Sequence, residues 1–257
     1  MSVAEWQIAV QTHCGNVRRT NEDAVLTLKH YPLFAVADGM GGHQAGEVAS
    51  QLLIDRLRTI KLDAELPIAA RQVEQSILAS NADIIDYSER HLHGETMGTT
   101  VVAMLSHQSR GVCLWAGDSR LYRLRGGQLQ QLTEDHSYVA ELVKAGSLQP
   151  EQAAHHPSAN ILTRTVGVRP SLSLDRVDFD LASGDTFLLC SDGLYNEVDN
   201  DELQSTLQAP EIHRASTRLL NLCLNRDARD NVSFIIARAL DQNPDHLDTT
   251  LTYYPAG

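Results

Sequence analysis

The chain has no CxxC pair and no His/Cys cluster at zinc spacing, which sets structural zinc aside. Cys113 and Cys190 lie inside apolar runs where a thiol behaves as a small hydrophobe, and with Cys14 and Cys223 they read as reduced. The Gly-x-x-x-x-Gly-Lys-Ser/Thr and Gly-x-Gly-x-x-Gly patterns are missing, so no phosphate-cradling nucleotide loop is encoded. Nor is there the Asp-x-Asp-x-Asp-Gly run of a calcium loop. No apolar run reaches the length that spans a bilayer. Met1 to Trp6 carries neither the basic n-region nor the apolar h-region of a signal peptide, and a cytoplasmic protein is the expectation. Basic clusters with interleaved aromatics are also lacking: 21 Lys and Arg stand against 33 Asp and Glu, a formal net charge of -12. That field repels phosphate backbones and anionic headgroups, so no nucleic acid and no membrane partner is expected.

What is present is ordinary globular material: 257 residues, 42% hydrophobic and 21% charged. The expected arrangement is one domain over residues 1–240 and a polar tail over 241–257. Strand-like runs cover Trp6–His13, Asp23–Leu28 and a short buried Leu33–Ala37. From Gly46 the period turns helical, with Val48, Leu52, Leu53, Leu57 and Ile60 on one face. Pro67 opens a second helix, with Val73, Ile77, Ile84 and Ile85 on its apolar face and Gly94 as its stop. Further strands are predicted over Thr99–Leu105, Gly111–Trp115, and Arg120–Arg125 turning at Gly126-Gly127 into Gln128–Leu132. Asp135–Gly167 has weak periodicity and reads as a surface subdomain or a flap over the site. Strands at Leu172–Phe179, Thr186–Cys190 and Val232–Ala239 enclose helices over Asp199–Leu207 and Pro210–Leu224. Strands in runs and helices in pairs point to an α+β layered architecture.

Four aspartates stand at the ends of strand-like runs: Asp38 after Leu33–Ala37, Asp118 after Val112–Gly117, Asp192 after Phe187–Ser191, and Asp230 just ahead of Val232–Ile236. One Asp-Gly after a strand is a common turn. Four, delivered from separate segments to the mouth of a sheet, predict a site for a hard cation such as Mg2+ or Mn2+. The glycines of Asp38-Gly39-Met40-Gly41-Gly42-His43 let the backbone approach a ligand and turn a carbonyl toward a cation. Arg18 and Arg19, beside Glu22 and Asp23, are the candidates for holding a phosphate, which a guanidinium grips through a bidentate fork.

Taken in order, Arg18-x-x-Asn21-Glu22-Asp23, Asp38-Gly39-Met40-Gly41-Gly42, Gly98-Thr99-Thr100, Gly117-Asp118-Ser119-Arg120, Ser191-Asp192-Gly193-Leu194 and Asp230-Asn231 are similar to the motif series of bacterial PP2C-type (PPM family) metal-dependent Ser/Thr protein phosphatases. The likeness runs from the amino terminus to about Ala239. It implies a four-layer α-β-β-α sandwich of two antiparallel sheets flanked by paired antiparallel helices. It implies that Asp38 bridges two metal ions, that Glu22 and the Gly39 carbonyl complete one shell, and that Asp192 and Asp230 complete the other. Asp118 would join Asp192 at a third, weaker ion, and Arg18 would bind the substrate phosphate. The implied reaction is direct hydrolysis of protein phosphoserine or phosphothreonine by a water or hydroxide bound at a binuclear Mg2+ or Mn2+ centre, reversing a Ser/Thr kinase, in a monomer. A catalytically weak phosphoprotein-binding module is the alternative. Met40 stands where many eukaryotic relatives carry a candidate general acid, leaving His43 or a metal-bound water for that role. Cys190 lacks a phosphate-loop setting and has apolar flanks, which argue against a nucleophile. Arg164, beside the flap, reads either as a phosphopeptide contact or as an anchor of the subdomain.

Overall fold

The computed structural model describes residues 5–28, 31–42, 45–153 and 156–240. His43 and the tail read over 241–257 lie outside them. β1 (Glu5–His13), β2 (Asp23–Leu28) and β3 (Leu33–Gly41) lead into helices α1 (Ala45–Arg58) and α2 (Leu66–His91). There follow β4 (Met97–Thr99), β5 (Val101–His107), β6 (Arg110–Ala116), β7 (Arg120–Arg125) and β8 (Gln128–Gln131). Two short helices, α3 (Tyr138–Lys144) and α4 (Pro150–Ala153), occupy the flap segment. The chain continues through β9 (Asp175–Asp180), β10 (Thr186–Cys190), α5 (Asp192–Tyr195), α6 (Asn200–Leu207), α7 (Ile212–Leu224) and β11 (Val232–Leu240).

These strands form two antiparallel sheets, ordered β1-β11-β10-β7-β8 and β2-β3-β5-β6-β9, with β4 extending the second along β3. Side chains alternate along each strand, and both faces are covered. In β10, Phe187 and Leu189 enter the layer between the sheets, while Leu188 and Cys190 turn to the α6–α7 side. In β3, Phe34 and Val36 face the other sheet, while Leu33, Ala35 and Ala37 face α1 and α2. Three apolar layers therefore stack as helices, sheet, sheet, helices, the four-layer sandwich that the resemblance implies. Coverage on both faces explains why these strands read as unbroken apolar runs rather than as alternating ones.

Several elements differ from the sequence reading. Thr99–Leu105 is divided into β4 and β5, because at Thr100 a side-chain hydroxyl replaces a backbone acceptor opposite Asp38. Leu172–Phe179 becomes Asp175–Asp180, since only that stretch pairs with β6, from Asp175 opposite Trp115 to Asp180 opposite Arg110. The short helix α5, which opens on Asp192 itself, has no counterpart in the sequence reading.

Candidate functional site

Asp38 does not end a strand. β3 runs on through Gly39 and Met40 to Gly41, pairing with β4, so the run read as a glycine loop is extended backbone. Gly39 can occupy it because a Cβ there would overlap the Gly46 carbonyl in the first turn of α1 and lie 2.5 Å from the Glu22 carbonyl oxygen. The Asp38–Gly39 peptide is held at both ends. Its carbonyl accepts from the Thr100 N–H at 2.8 Å and the Thr99 Oγ1 hydroxyl at 2.9 Å, and its N–H donates to the Glu22 carbonyl at 3.1 Å. The Asp38 N–H donates to Thr100 Oγ1 at 3.1 Å, and that hydroxyl pairs with Ser119 Oγ at 2.7 Å.

The other acids are fastened individually. Asp118 follows Gly117, whose φ of 109° no β-carbon residue adopts comfortably. Gly117 donates its N–H to His136 Nδ1 at 3.1 Å and accepts the His136 N–H at 2.9 Å, while the Tyr195 hydroxyl donates to the Asp118 carbonyl at 3.1 Å. Asp192 opens α5 and accepts from Asn196 Nδ2 at 3.1 Å. Asp230 accepts from the Arg18 guanidinium at 2.8 Å. Asn231 ties the Arg18–Glu22 loop to the head of β11: its Oδ1 accepts the Glu22 N–H at 2.8 Å, and its Nδ2 donates to the Cys14 and Thr20 carbonyls at 3.1 and 3.0 Å.

Glu22, Asp38, Gly39, Asp118, Asp192, Asp230 and Arg18 all line one cavity of about 510 Å³, roofed on the flap side by Asn160, Ile161 and Leu162. A wider hollow of about 720 Å³ is a shallow depression on the outer face of α7, around Arg214 and Arg218, with none of these carboxylates. Asp38, Asp118 and Asp192 keep one edge open to the cavity while protein packs around the rest. Burial, reinforced by the neighbouring Asp23 and Asp192, holds the Asp38 carboxyl well above the ordinary range. Burial likewise pushes Asp192 up to about 7, with Asp118 adding to it, and Asp118 up to about 6, with Asp135 adding to it. Glu22 is raised by burial against the pull of Arg18.

Sequence reasoning assigned no role to Asp23 or Asn231. Asp23 stands directly opposite Asp38 across the β2–β3 pair, so both carboxylates share a face where like charges destabilise each other. Its pKa is pushed up to about 7 by burial, although the neighbouring Ser233 and Ser191 hydroxyls pull the other way. Ser191 Oγ donates to Asp23 Oδ2 at 2.9 Å, while Oδ1 is buried without a partner. An orphaned carboxylate oxygen beside four crowded acids fits a site built around positive charge. Among the described residues, no three Asp, Glu, His or Cys side chains close on a single point as a ready cage. Carboxylates ringing a roomy cavity suit an ion that keeps several waters, which is how Mg2+ binds and how zinc does not.

The remaining candidates separate clearly. Met40 lines the cavity and carries no proton to give. Arg19 is not part of the cavity wall. Arg164 pairs with Asp175 at the start of β9, which also faces His136 Nε2 at 3.2 Å, an ion pair that fits its reading as an anchor of the flap to the sheet. Cys190 is fully buried and its thiol is pushed up by that burial, which suits packing and not nucleophilic attack.

A family model described as Protein phosphatase 2C matches residues 10–232. The serine/threonine protein phosphatase PstP of Mycobacterium tuberculosis is 37% identical over 236 residues, 91% of this chain, and the chain spans about half its length, 45%. The serine/threonine phosphatase stp of Listeria monocytogenes is 40% identical over 206 residues, covering 77% of this chain and 82% of the relative. Among solved structures, PppA, a regulatory component of the T6SS in Pseudomonas aeruginosa, superposes with a TM-score of 0.86 at 40% identity, covering 93% of this chain and 99% of that one. The catalytic domain of PstP in complex with two manganese ions gives a TM-score of 0.84 at 34% identity, covering 93% of this chain and 100% of the other.

Proposed function

The chain belongs to the protein phosphatase 2C family, and on that footing we propose that it is a metal-dependent phosphatase acting on phosphoserine and phosphothreonine of proteins. The observation that carries this reading is the convergence of Glu22, Asp38, Asp118, Asp192 and Asp230 with Arg18 on one cavity. In this assignment Asp38 would serve both ions, Glu22 and the Gly39 carbonyl would hold one, and Asp192 and Asp230 would hold the other. Asp118 and Asp192 would hold a third, weaker ion. Mg2+ or Mn2+, when bound there, would lower the pKa of water and offset charge building on phosphoryl oxygens. The protein contributes orientation. Arg18 uses one N–H on Asp230 and, at 51% exposure, keeps others turned to the cavity for a phosphoryl oxygen. Ile161 and Leu162 line the flap side of the cavity.

The domain is assigned to residues 1–240, with 135–167 as its flap subdomain. Its substrates in this reading are proteins phosphorylated by a Ser/Thr kinase, met in the cytoplasm by a monomer. Among the described residues no helix is long and apolar enough to cross a membrane. Asp38→Asn tests the reading with a phosphothreonine peptide: metal-dependent hydrolysis is abolished while the circular dichroism spectrum is kept. Full turnover by that variant sinks it. A binding module without catalysis would take up Mn2+ in a calorimeter and leave the peptide phosphorylated.

A further inference from the structure

We propose that Asn81, on helix α2 and outside the cavity wall, is a positioning residue for the two metal ligands that flank the Asp38–Gly39 peptide, the Asp38 carboxylate and the Gly39 carbonyl; this rests on the phosphatase reading above. Asn81 is 2% exposed and shares its helix face with Ile77 and Ile84. An amide buried there is costly unless both of its halves are bonded. Both are, and to one segment of the flap exit: Oδ1 accepts the Gly167 N–H at 2.7 Å and Nδ2 donates to the Arg169 carbonyl at 2.9 Å. Gly167, at φ 92°, packs so closely on Ile84 that no Cβ fits. The segment is therefore located on α2 from both sides.

That segment in turn locates β4. Val166 and Thr99 exchange two backbone hydrogen bonds, each 2.9 Å, and a Cβ on Gly98 would come within 2.7 Å of the Val166 carbonyl oxygen. Thr99 and Val166 are completely buried, so water does not substitute for these links. Thr99 Oγ1 then donates to the Asp38 carbonyl, and Thr100 adds its N–H. The route from Asn81 to the Asp38–Gly39 peptide is thus a short run of buried hydrogen bonds. Moving the flap exit tilts that peptide, and with it both the Asp38 carboxylate and the Gly39 carbonyl.

The test uses the full chain with Asn81→Leu, matched to the neighbouring isoleucines, and Thr99→Val with Thr99→Ser as its hydroxyl-restoring counterpart. Mn2+ binding is measured by calorimetry, and kcat and KM on a phosphothreonine peptide are measured across a Mn2+ series. For Asn81→Leu the Mn2+ dissociation constant rises about tenfold, the scale on which outer partners of a metal site act. KM for the peptide changes little, and kcat recovers as Mn2+ is raised. Thr99→Val moves the metal constant in the same direction, Thr99→Ser restores it, and the double variant with Asn81→Leu shows less than the product of the single effects. Where Asn81→Leu does not fold, Asn81→Ser leaves room for water to take over both bonds and gives a smaller change of the same sign. A lowered melting temperature with an unchanged Mn2+ constant overturns the proposal, as does a raised KM with an unchanged Mn2+ constant. Wild type that binds no Mn2+ overturns the phosphatase reading and this inference with it; wild type that binds while the variants bind equally overturns this inference alone.

Discussion

Gly39→Ala is the substitution on which the site's backbone argument depends. The new methyl would overlap the Gly46 carbonyl and lie 2.5 Å from the Glu22 carbonyl oxygen, both rigid backbone. Nonbonded heavy atoms settle near about 3.5 Å, so the strand must retreat from Glu22 by about 1 Å. Such overpacking costs about 1–3 kcal/mol of stability. The larger effect falls on chemistry, because a displacement of about 1 Å at a reacting centre costs on the order of 100-fold in rate. Gly42 supplies the control within the same run: a Cβ there meets nothing within 4 Å. Hydrolysis of a phosphothreonine peptide in saturating Mn2+, with thermal melts of the same samples, measures both effects. Gly39→Ala loses about two orders of magnitude in kcat, while Gly42→Ala matches wild type. Equal activity of the two variants would show that the close approach of β3 to α1 does not shape the site.

Stripped of metal by EDTA, the protein becomes less stable as pH rises from about 5 to 8. Asp23 and Asp192 titrate near about 7 and Asp118 near about 6 in the fold, above the ordinary 3.8, so the native state holds more protons than the unfolded chain in this window. Their contribution is complete below the unfolded pKa and is lost as pH passes the folded one, whereas the salt-bridged Asp175 and Asp178, with lowered values, contribute constantly across this window and lose their contribution only as pH falls below it. Melting temperatures that climb with pH in EDTA contradict this, and saturating Mn2+ removes the decline. Arg18→Lys keeps the charge but loses the fork; a charge-assisted hydrogen bond is worth about 1.5–3 kcal/mol, so kcat/KM falls by about tenfold or more, and an unaltered value in steady-state assays removes Arg18 from phosphate binding. The Arg120–Asp135 pair has three guanidinium bonds of 2.7 to 3.2 Å and exposures of only 22% and 17%. Asp135→Ala leaves Arg120 unpaired at a cost of about 3–5 kcal/mol in urea unfolding, and a loss below about 1 kcal/mol would class it with surface pairs.

The parts of this molecule that could be read from the sequence are those encoded locally. Apolar runs marked β5, β6, β10 and β11, helical periodicity marked α1, α2 and α7, and strand ends marked Asp118, Asp192 and Asp230. Asp38 was found for a partly mistaken reason. Asp-Gly-Met-Gly has no side-chain signature of a strand, and it stays extended only because β4 pairs with it and α1 presses on Gly39. The roles of Asp23, Asn231 and Asn81 were illegible because their partners lie far away in sequence: Ser191 is 168 residues from Asp23, and Gly167 is 86 residues from Asn81. Helix α5 is four residues long, too short for any periodic signal.

The register that makes the acids a site is nevertheless a consequence of the apolar pattern. Asp23 faces Asp38 because Ala24 pairs with Ala37, Val25 with Val36 and Leu26 with Ala35. Ala24 and Leu26 pack toward the helices, and Val25 packs into the layer between the sheets. A one-residue slip would turn Val25 out of that layer and bring Ala24 and Leu26 into it, reversing the buried face along the whole strand. It would also set Asp38 opposite Glu22 or Ala24 instead of Asp23. The core residues that oppose such a slip are thus the same ones that hold two like charges side by side, an arrangement unfavourable until protons or cations share it. The stability of β2 against β3 therefore rests on apolar packing, while on the proposed reading the affinity of the cavity for a divalent cation would draw on the repulsion which that packing enforces.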